Sequence, residues 1–138
     1  MTHFTIIIPT RQRADVLPYA IKTCLNQDYD NFEIIVIDNY GGEDVSDAIK
    51  SVASDKVKHI RSQKPLSMMQ NWELGIEALA DIKEGFVTFL GDDNGLLPDC
   101  LSRLDALIRK HSPKAINCNP VQYHWPQHSG SPNLLTIP

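Results

Sequence analysis

Three short stretches of this 138-residue chain are largely apolar and rich in β-branched residues: FTIIIP at 4–9, FEIIVI at 32–37 and FVTFL at 86–90. Runs with no regular polar side read as strands covered on both faces. Helical patterns lie between and after them. Asp15 is expected to cap a helix reaching about residue 26, with Val16, Ala20, Ile21, Cys24 and Leu25 on one face. Val45, Ile49 and Val52 mark a short second helix, and residues 57–60 a weaker strand. Ser67 opens a third helix through Met68, Met69, Trp72, Ile76 and Leu79. Asp99 is expected to cap a fourth through Leu101, Leu104, Leu107 and Ile108, with a fifth strand at 115–118. Alternation of this kind implies an α/β fold, a mostly parallel, doubly wound sheet with helices on both faces.

In such sheets ligands collect at the carboxyl ends of strands, near a switch in strand order. Three loops fall on that edge: Thr-Arg-Gln-Arg after the first strand, Asp-Asn-Tyr-Gly-Gly after the second and Gly-Asp-Asp-Asn-Gly after the strand at 86–90. Asp92, Asp93 and Asn94 have two readings. Their types make turns, and their hard oxygen atoms suit Mg²⁺ or Mn²⁺ rather than Zn²⁺. Arg11 and Arg13 read either as solvated side chains or as forks for phosphate. Thr10 can cap the turn or bond a ligand. Asp38 and Asn39 are either turn residues before Gly41 and Gly42 or readers of a base or ribose. Trp72 reads as core, whereas a buried Asn71 needs polar partners.

Composition narrows the classes. A net charge of −4 with scattered acids and bases favours neither nucleic acid nor a membrane surface. No apolar run approaches the ~20 residues of a membrane helix, and the first residues carry no signal-peptide pattern. Cys24, Cys100 and Cys118 are an odd set without metal-ligand spacing. Packing is the expected role for each, Cys118 within a strand, and a reducing, cytoplasmic setting is expected. The five histidines, His3, His59, His111, His124 and His128, show no metal-ligand spacing and read as surface or core residues.

Taken with SMMQNWELGIEAL, the stretches FTIIIPTRQRADVLPYAIKTCLNQDYDNFEIIVIDN and FVTFLGDDNGLLPDCL resemble the family 2 glycosyltransferases, inverting enzymes of GT-A fold. The resemblance runs from Thr5 to at least Leu107. It implies that Pro9, Thr10, Arg11 and Arg13 lie in the loop wrapped around a donor nucleotide. Asp38 and Asn39 match an acidic pair that commonly reads the base, with Asn in the second place. Asn71 and Asp92 complete the implied nucleotide site, and Asp93, with Asp92, matches the family's Asp-x-Asp-type metal motif. Implied partners are a divalent cation (Mn²⁺ or Mg²⁺) and a nucleotide sugar, foremost a UDP-sugar. The acceptor, a glycan or another hydroxyl compound, is not named by the sequence.

The implied chemistry is displacement at the anomeric carbon with inversion, which needs a general base. No acid follows Asp105. The expected organisation is therefore a nucleotide-sugar-binding α/β domain over 1–119. A Pro-rich extension over 120–138, with one strand at about 121–125, then begins an acceptor half that this chain lacks. That extension is the expected contact for a second copy or a completing partner. The alternative is a non-catalytic nucleotide-sugar-binding module. A phosphoacceptor domain using Asp38 is disfavoured, because Thr-Arg-Gln-Arg stands where it needs acids.

Overall fold

The structure, a computed structural model, describes residues 1–42, 44–82 and 84–119. The elements are β1 (Phe4–Thr10), α1 (Leu17–Leu25), β2 (Phe32–Asp38), α2 (Ser46–Lys50), β3 (Val57–Arg61), α3 (Met68–Glu77), β4 (Phe86–Phe89) and α4 (Cys100–His111). The strands form one parallel sheet in the order β3-β2-β1-β4. β1 and β2 run in register from Phe4 beside Phe32 to Thr10 beside Asp38.

Side chains alternate across a strand, and the apolar ones divide accordingly. Ile6, Ile8, Ile34 and Val36 pack with Leu17, Ile21 and Cys24 of α1, Ile49 of α2 and Leu101 of α4. Ile7, Ile35 and Ile37 pack on the opposite face with Leu74 of α3 and Phe89. Both faces of β1 and β2 are thus covered, as their unbroken apolar sequences require. The expected doubly wound α/β architecture is present, all-parallel among the described residues.

Several local expectations are corrected. No strand forms at 115–118; Ala115, Asn117 and Cys118 are exposed in an irregular segment. Ala-Ile is too short an apolar run, bounded by Pro113 and Pro120, to earn a place on the sheet. Asp15 does not cap α1. The helix starts after Val16 with Pro18 in its first turn, and the Arg13 carbonyl accepts from the Val16 and Leu17 N–H groups. Proline needs no donor partner there. Asp99 occupies the cap position of α4 without a capping hydrogen bond, and its carboxylate lies 3.4 Å from Arg103. Ser67 does open α3, through a reciprocal capping box with Gln70.

The face of α3 is also rotated from expectation. Met68, Met69, Trp72 and Ile76 are exposed, while Asn71 and Gly75 are buried. Gly75 explains this. A Cβ there would lie 3.0 Å from Ile7 Cγ2 and 3.3 Å from Ile37 Cγ1, so the helix backbone rests directly on the sheet. Trp72 instead stacks over Phe89, ring centroids 4.8 Å apart. The expected strand at 121–125 and the extension at 120–138 lie outside the described residues.

Candidate functional site

From β1 the strand order moves outward to β2 and β3, then returns across α3 to place β4 on the other side of β1. The switch point therefore lies between the carboxyl ends of β1 and β4. Here the loops carrying Thr10 and Asp92 meet. Thr10, buried at the end of β1, donates its hydroxyl to Asp92 Oδ2 at 2.7 Å. Arg13 donates from its guanidinium to Asp93 Oδ2 at 2.9 Å. Pro9 precedes this junction opposite Ile37 on β2, and Arg11 is exposed on the same loop.

The acidic loop is a turn, as the first of its two sequence readings has it. The Asn94 N–H bonds to the Gly91 carbonyl at 3.0 Å. A Cβ on Gly91 would fall 2.5 Å from the Asn94 amide nitrogen and 3.2 Å from Asp93 Oδ1. Glycine leaves the space in which Asp93 and Asn94 fold back. Burial raises the pKa of Asp92, and Asp93 adds to that rise, while the Thr10 hydrogen bond and the Arg13 charge oppose it.

Residues that sequence reasoning passed over hold this loop in place. Thr23 accepts from the Leu96 N–H at 3.1 Å. The Gln27 amide donates to the Leu97 carbonyl at 2.8 Å, and its oxygen accepts from the Leu101 N–H at 3.1 Å. Gln27, just past the end of α1, thus supplies the N-terminal cap that Asp99 does not give α4. In the sequence, Gln27 stood out only through its place in the Leu-x-Gln-x-x-x-x-Phe-Glu spacing of the family resemblance, and Thr23 carried no signal.

The carboxyl end of β2 is a second cluster. Asp38 is fully buried, with Oδ2 at 3.4 Å from His59 Nε2 and 3.6 Å from the Arg61 guanidinium. Arg61 also meets Asp44 at 2.8 Å. The available signal for His59 and Arg61 was the alternation in VKHIR, which the register sets beside Val36 and Asp38. Asn39 has both amide atoms engaged by Leu66, donating to its carbonyl and accepting from its N–H, each at 2.9 Å. It ties the segment leading into α3 to the end of β2. Asn71 donates to the Ile37 carbonyl at 3.4 Å. Two buried acceptors at this strand end, Asp38 Oδ1 and Asn71 Oδ1, have no hydrogen-bond partner among the described residues.

Burial pushes the pKa of Asp38 up, against the opposing pull of Arg61 and His59. A raised folded-state pKa makes its ionisation cost stability. The favourable balance holds below the unfolded value of about 3.9 and is lost as pH rises through the folded value. Thermal melts of wild type and Asp38→Asn at pH 4 and pH 7 should therefore shift in the variant's favour at the higher pH. A constant difference between the two proteins would contradict the raised pKa.

The donor chemistry fits a hard divalent ion. Asp92, Asp93 and Asn94 present oxygen ligands at the switch point, and no group of three or more His, Cys, Asp or Glu side chains suited to a metal occurs among the described residues. Mg²⁺ is commonly bound by one or two carboxylates, with its other positions left to phosphate and water, and these residues would suit such an ion. Among the described residues, no helix is long and apolar enough to cross a membrane.

Residues 5–136 match the family model described as Glycosyl transferase family 2. A Campylobacter jejuni GalNAc(5)-diNAcBac-PP-undecaprenol beta-1,3-glucosyltransferase is 32% identical over 111 residues, which cover 75% of this chain and 34% of that protein. An uncharacterized glycosyltransferase of Rickettsia bellii is 32% identical over 93 residues, 65% of this chain and 13% of its own length. This chain therefore spans about a third of the first relative and less of the second. Among solved structures, S. aureus TarS 1–349 in complex with UDP superposes with a TM-score of 0.70 at 19% identity, over 80% of this chain and 33% of that one. The Pyrobaculum calidifontis mannosyltransferase PcManGT, in complex with GDP-Man and Mn²⁺, gives 0.62 at 18%, over 77% and 31%. These likenesses bear on the fold, and the family match covers nearly the whole chain. The chain belongs to glycosyl transferase family 2.

Proposed function

We propose that residues 1–119 form the donor-binding part of an inverting glycosyltransferase that takes its sugar from a nucleoside diphosphate sugar, foremost a UDP-sugar. The observation that carries this reading is the pair of buried, unpartnered acceptors, Asp38 Oδ1 and Asn71 Oδ1. Buried acceptors left without a donor are costly, and the imide N–H of a uracil would supply one. Proteins of the same fold are known in complex with UDP, UDP-GlcNAc and GDP-Man, which supports a nucleoside diphosphate sugar as the donor.

In this reading Asp38 and Asn71 face the base. Asn39 acts indirectly, by fixing the segment at Leu66. Pro9 and Thr10 form the floor at the end of β1, and Arg11 and Arg13 offer guanidinium groups to the diphosphate. Asp92, held by Thr10, is placed for the ribose and the metal, and Asp93 is the principal metal ligand. A divalent ion bound there would neutralise charge on the departing diphosphate. The acceptor hydroxyl attacks the anomeric carbon, the bond to the diphosphate oxygen breaks, and the hydroxyl proton passes to a base not assigned among these residues.

The division at residue 119, and docking of 120–138 against a further part of the enzyme, a partner or a second copy, belong to the same proposal. So does a cytoplasmic setting, which three free cysteines fit. The test is calorimetric titration of UDP into the chain with and without Mn²⁺. Binding that requires Mn²⁺ is expected, and UDP at about 100 times its Kd should stabilise the fold by about 2.7 kcal/mol. Failure of UDP, GDP and dTDP alike to bind would overturn the donor reading. Binding without any transfer once a complete enzyme is assembled would favour a non-catalytic nucleotide-sugar module.

A further inference from the structure

We propose that Arg13 is a displaceable internal counter-ion. Its guanidinium holds the Asp93 oxygen that a divalent ion would use, must release it for the ion to enter, and then turns to the diphosphate. The inference rests on the reading of Asp93 as a metal ligand and adds an order of events to it.

The geometry supplies each part. Arg13 donates to Asp93 Oδ2 at 2.9 Å, so one of the two carboxylate oxygens, and part of the negative charge that would attract an ion, is already engaged. The Arg13 charge is felt at Asp92 too. One cation thus serves both carboxylates. The two side chains of the pair are 43% and 51% exposed, and pairs this open are weak enough to exchange. The backbone beneath is not free to follow. Gln12 sits in the left-handed region at φ 55°, and the Arg13 carbonyl is committed to the first turn of α1. Gly41 leaves room for this turn, because a Cβ there would meet Gln12 Cγ at 2.6 Å. Release is therefore a side-chain movement from a fixed Cα. The guanidinium fork is suited to phosphate oxygens once freed.

The experiment is titration of Mn²⁺ alone, read from the paramagnetic resonance of free Mn²⁺, into wild type, Arg13→Gln, Arg11→Gln and Asp93→Ala. Arg13→Gln should bind Mn²⁺ about three- to fivefold more tightly than wild type, the range of an exposed ion pair. Arg11→Gln, which loses the same charge nearby, should gain less. With Mn²⁺ saturating, UDP should bind Arg13→Gln about tenfold more weakly, since a charged phosphate contact is lost. Equal or weaker Mn²⁺ binding by Arg13→Gln overturns the proposal, as does an equal gain in Arg11→Gln. If Asp93→Ala abolishes Mn²⁺ binding in that event, the metal site stands and only the counter-ion role fails. If Asp93→Ala changes nothing, or no variant binds Mn²⁺, both fall together.

Discussion

Asp93→Ala is expected to lose Mn²⁺-dependent UDP binding by about 100-fold or more while melting close to wild type. The two halves of this expectation come from different features of the same side chain. Altering a group that merely supports a metal ligand typically costs 10–100-fold in affinity, so loss of the principal ligand should cost at least the upper end. The structural cost is small because the Arg13–Asp93 pair is more than 40% exposed on both sides. Such pairs contribute about 0–1 kcal/mol, a change of about 4 °C or less in a domain of this size. Asp92 would be a less clean choice. It is partly buried, anchors Thr10 at 2.7 Å and has a raised pKa, so its removal mixes fold and function. Calorimetry with and without Mn²⁺, beside a thermal melt, separates the two effects. An Asp93→Ala protein whose UDP affinity still rises with Mn²⁺ would remove the acidic loop from the metal reading.

The parts of the fold legible in the sequence were those set by period and by unbroken apolar runs. FTIIIP and FEIIVI can only be buried strands, and their spacing with the intervening helix fixes a parallel pair. The three polar loops were legible because short polar clusters directly after such strands lie at the carboxyl edge. What stayed hidden depends on contacts between distant segments. Gln27 is 74 residues from the N–H it caps at Leu101, and the Leu-x-Gln spacing in which it stands does not reveal that partner. Asn39 resembled a base reader, since sequence cannot show that Leu66 takes both of its amide atoms. The expected fifth strand does not form because its apolar run, Ala115-Ile116, is too short to be buried on a sheet. The orientation of α3 is set by its smallest residue, Gly75, while Met68, Met69 and Ile76 are exposed.

That smallest residue carries the last expectation. Gly75→Leu should destabilise the fold by about 3 kcal/mol, the upper end of the usual cost of overpacking, and so lower Tm by about 10 °C. Leucine gains about 1 kcal/mol of helix propensity over glycine, but the packing loss is larger. Even its Cβ would approach Ile7 Cγ2 to 3.0 Å and Ile37 Cγ1 to 3.3 Å, and both isoleucines are held in the sheet core with Leu74 and Phe89. Either α3 lifts or β1 and β2 deform. Lifting would draw Asn71, one turn earlier on the same face, away from the Ile37 carbonyl at 3.4 Å. UDP affinity should therefore fall along with stability, although Gly75 is a packing residue. Gly75→Ala, whose single methyl meets the same atoms, should show both effects in milder form. A Gly75→Leu protein that melts like wild type would mean that α3 does not rest on the sheet through this glycine. One that is destabilised yet binds UDP normally would separate Asn71 from the nucleotide site.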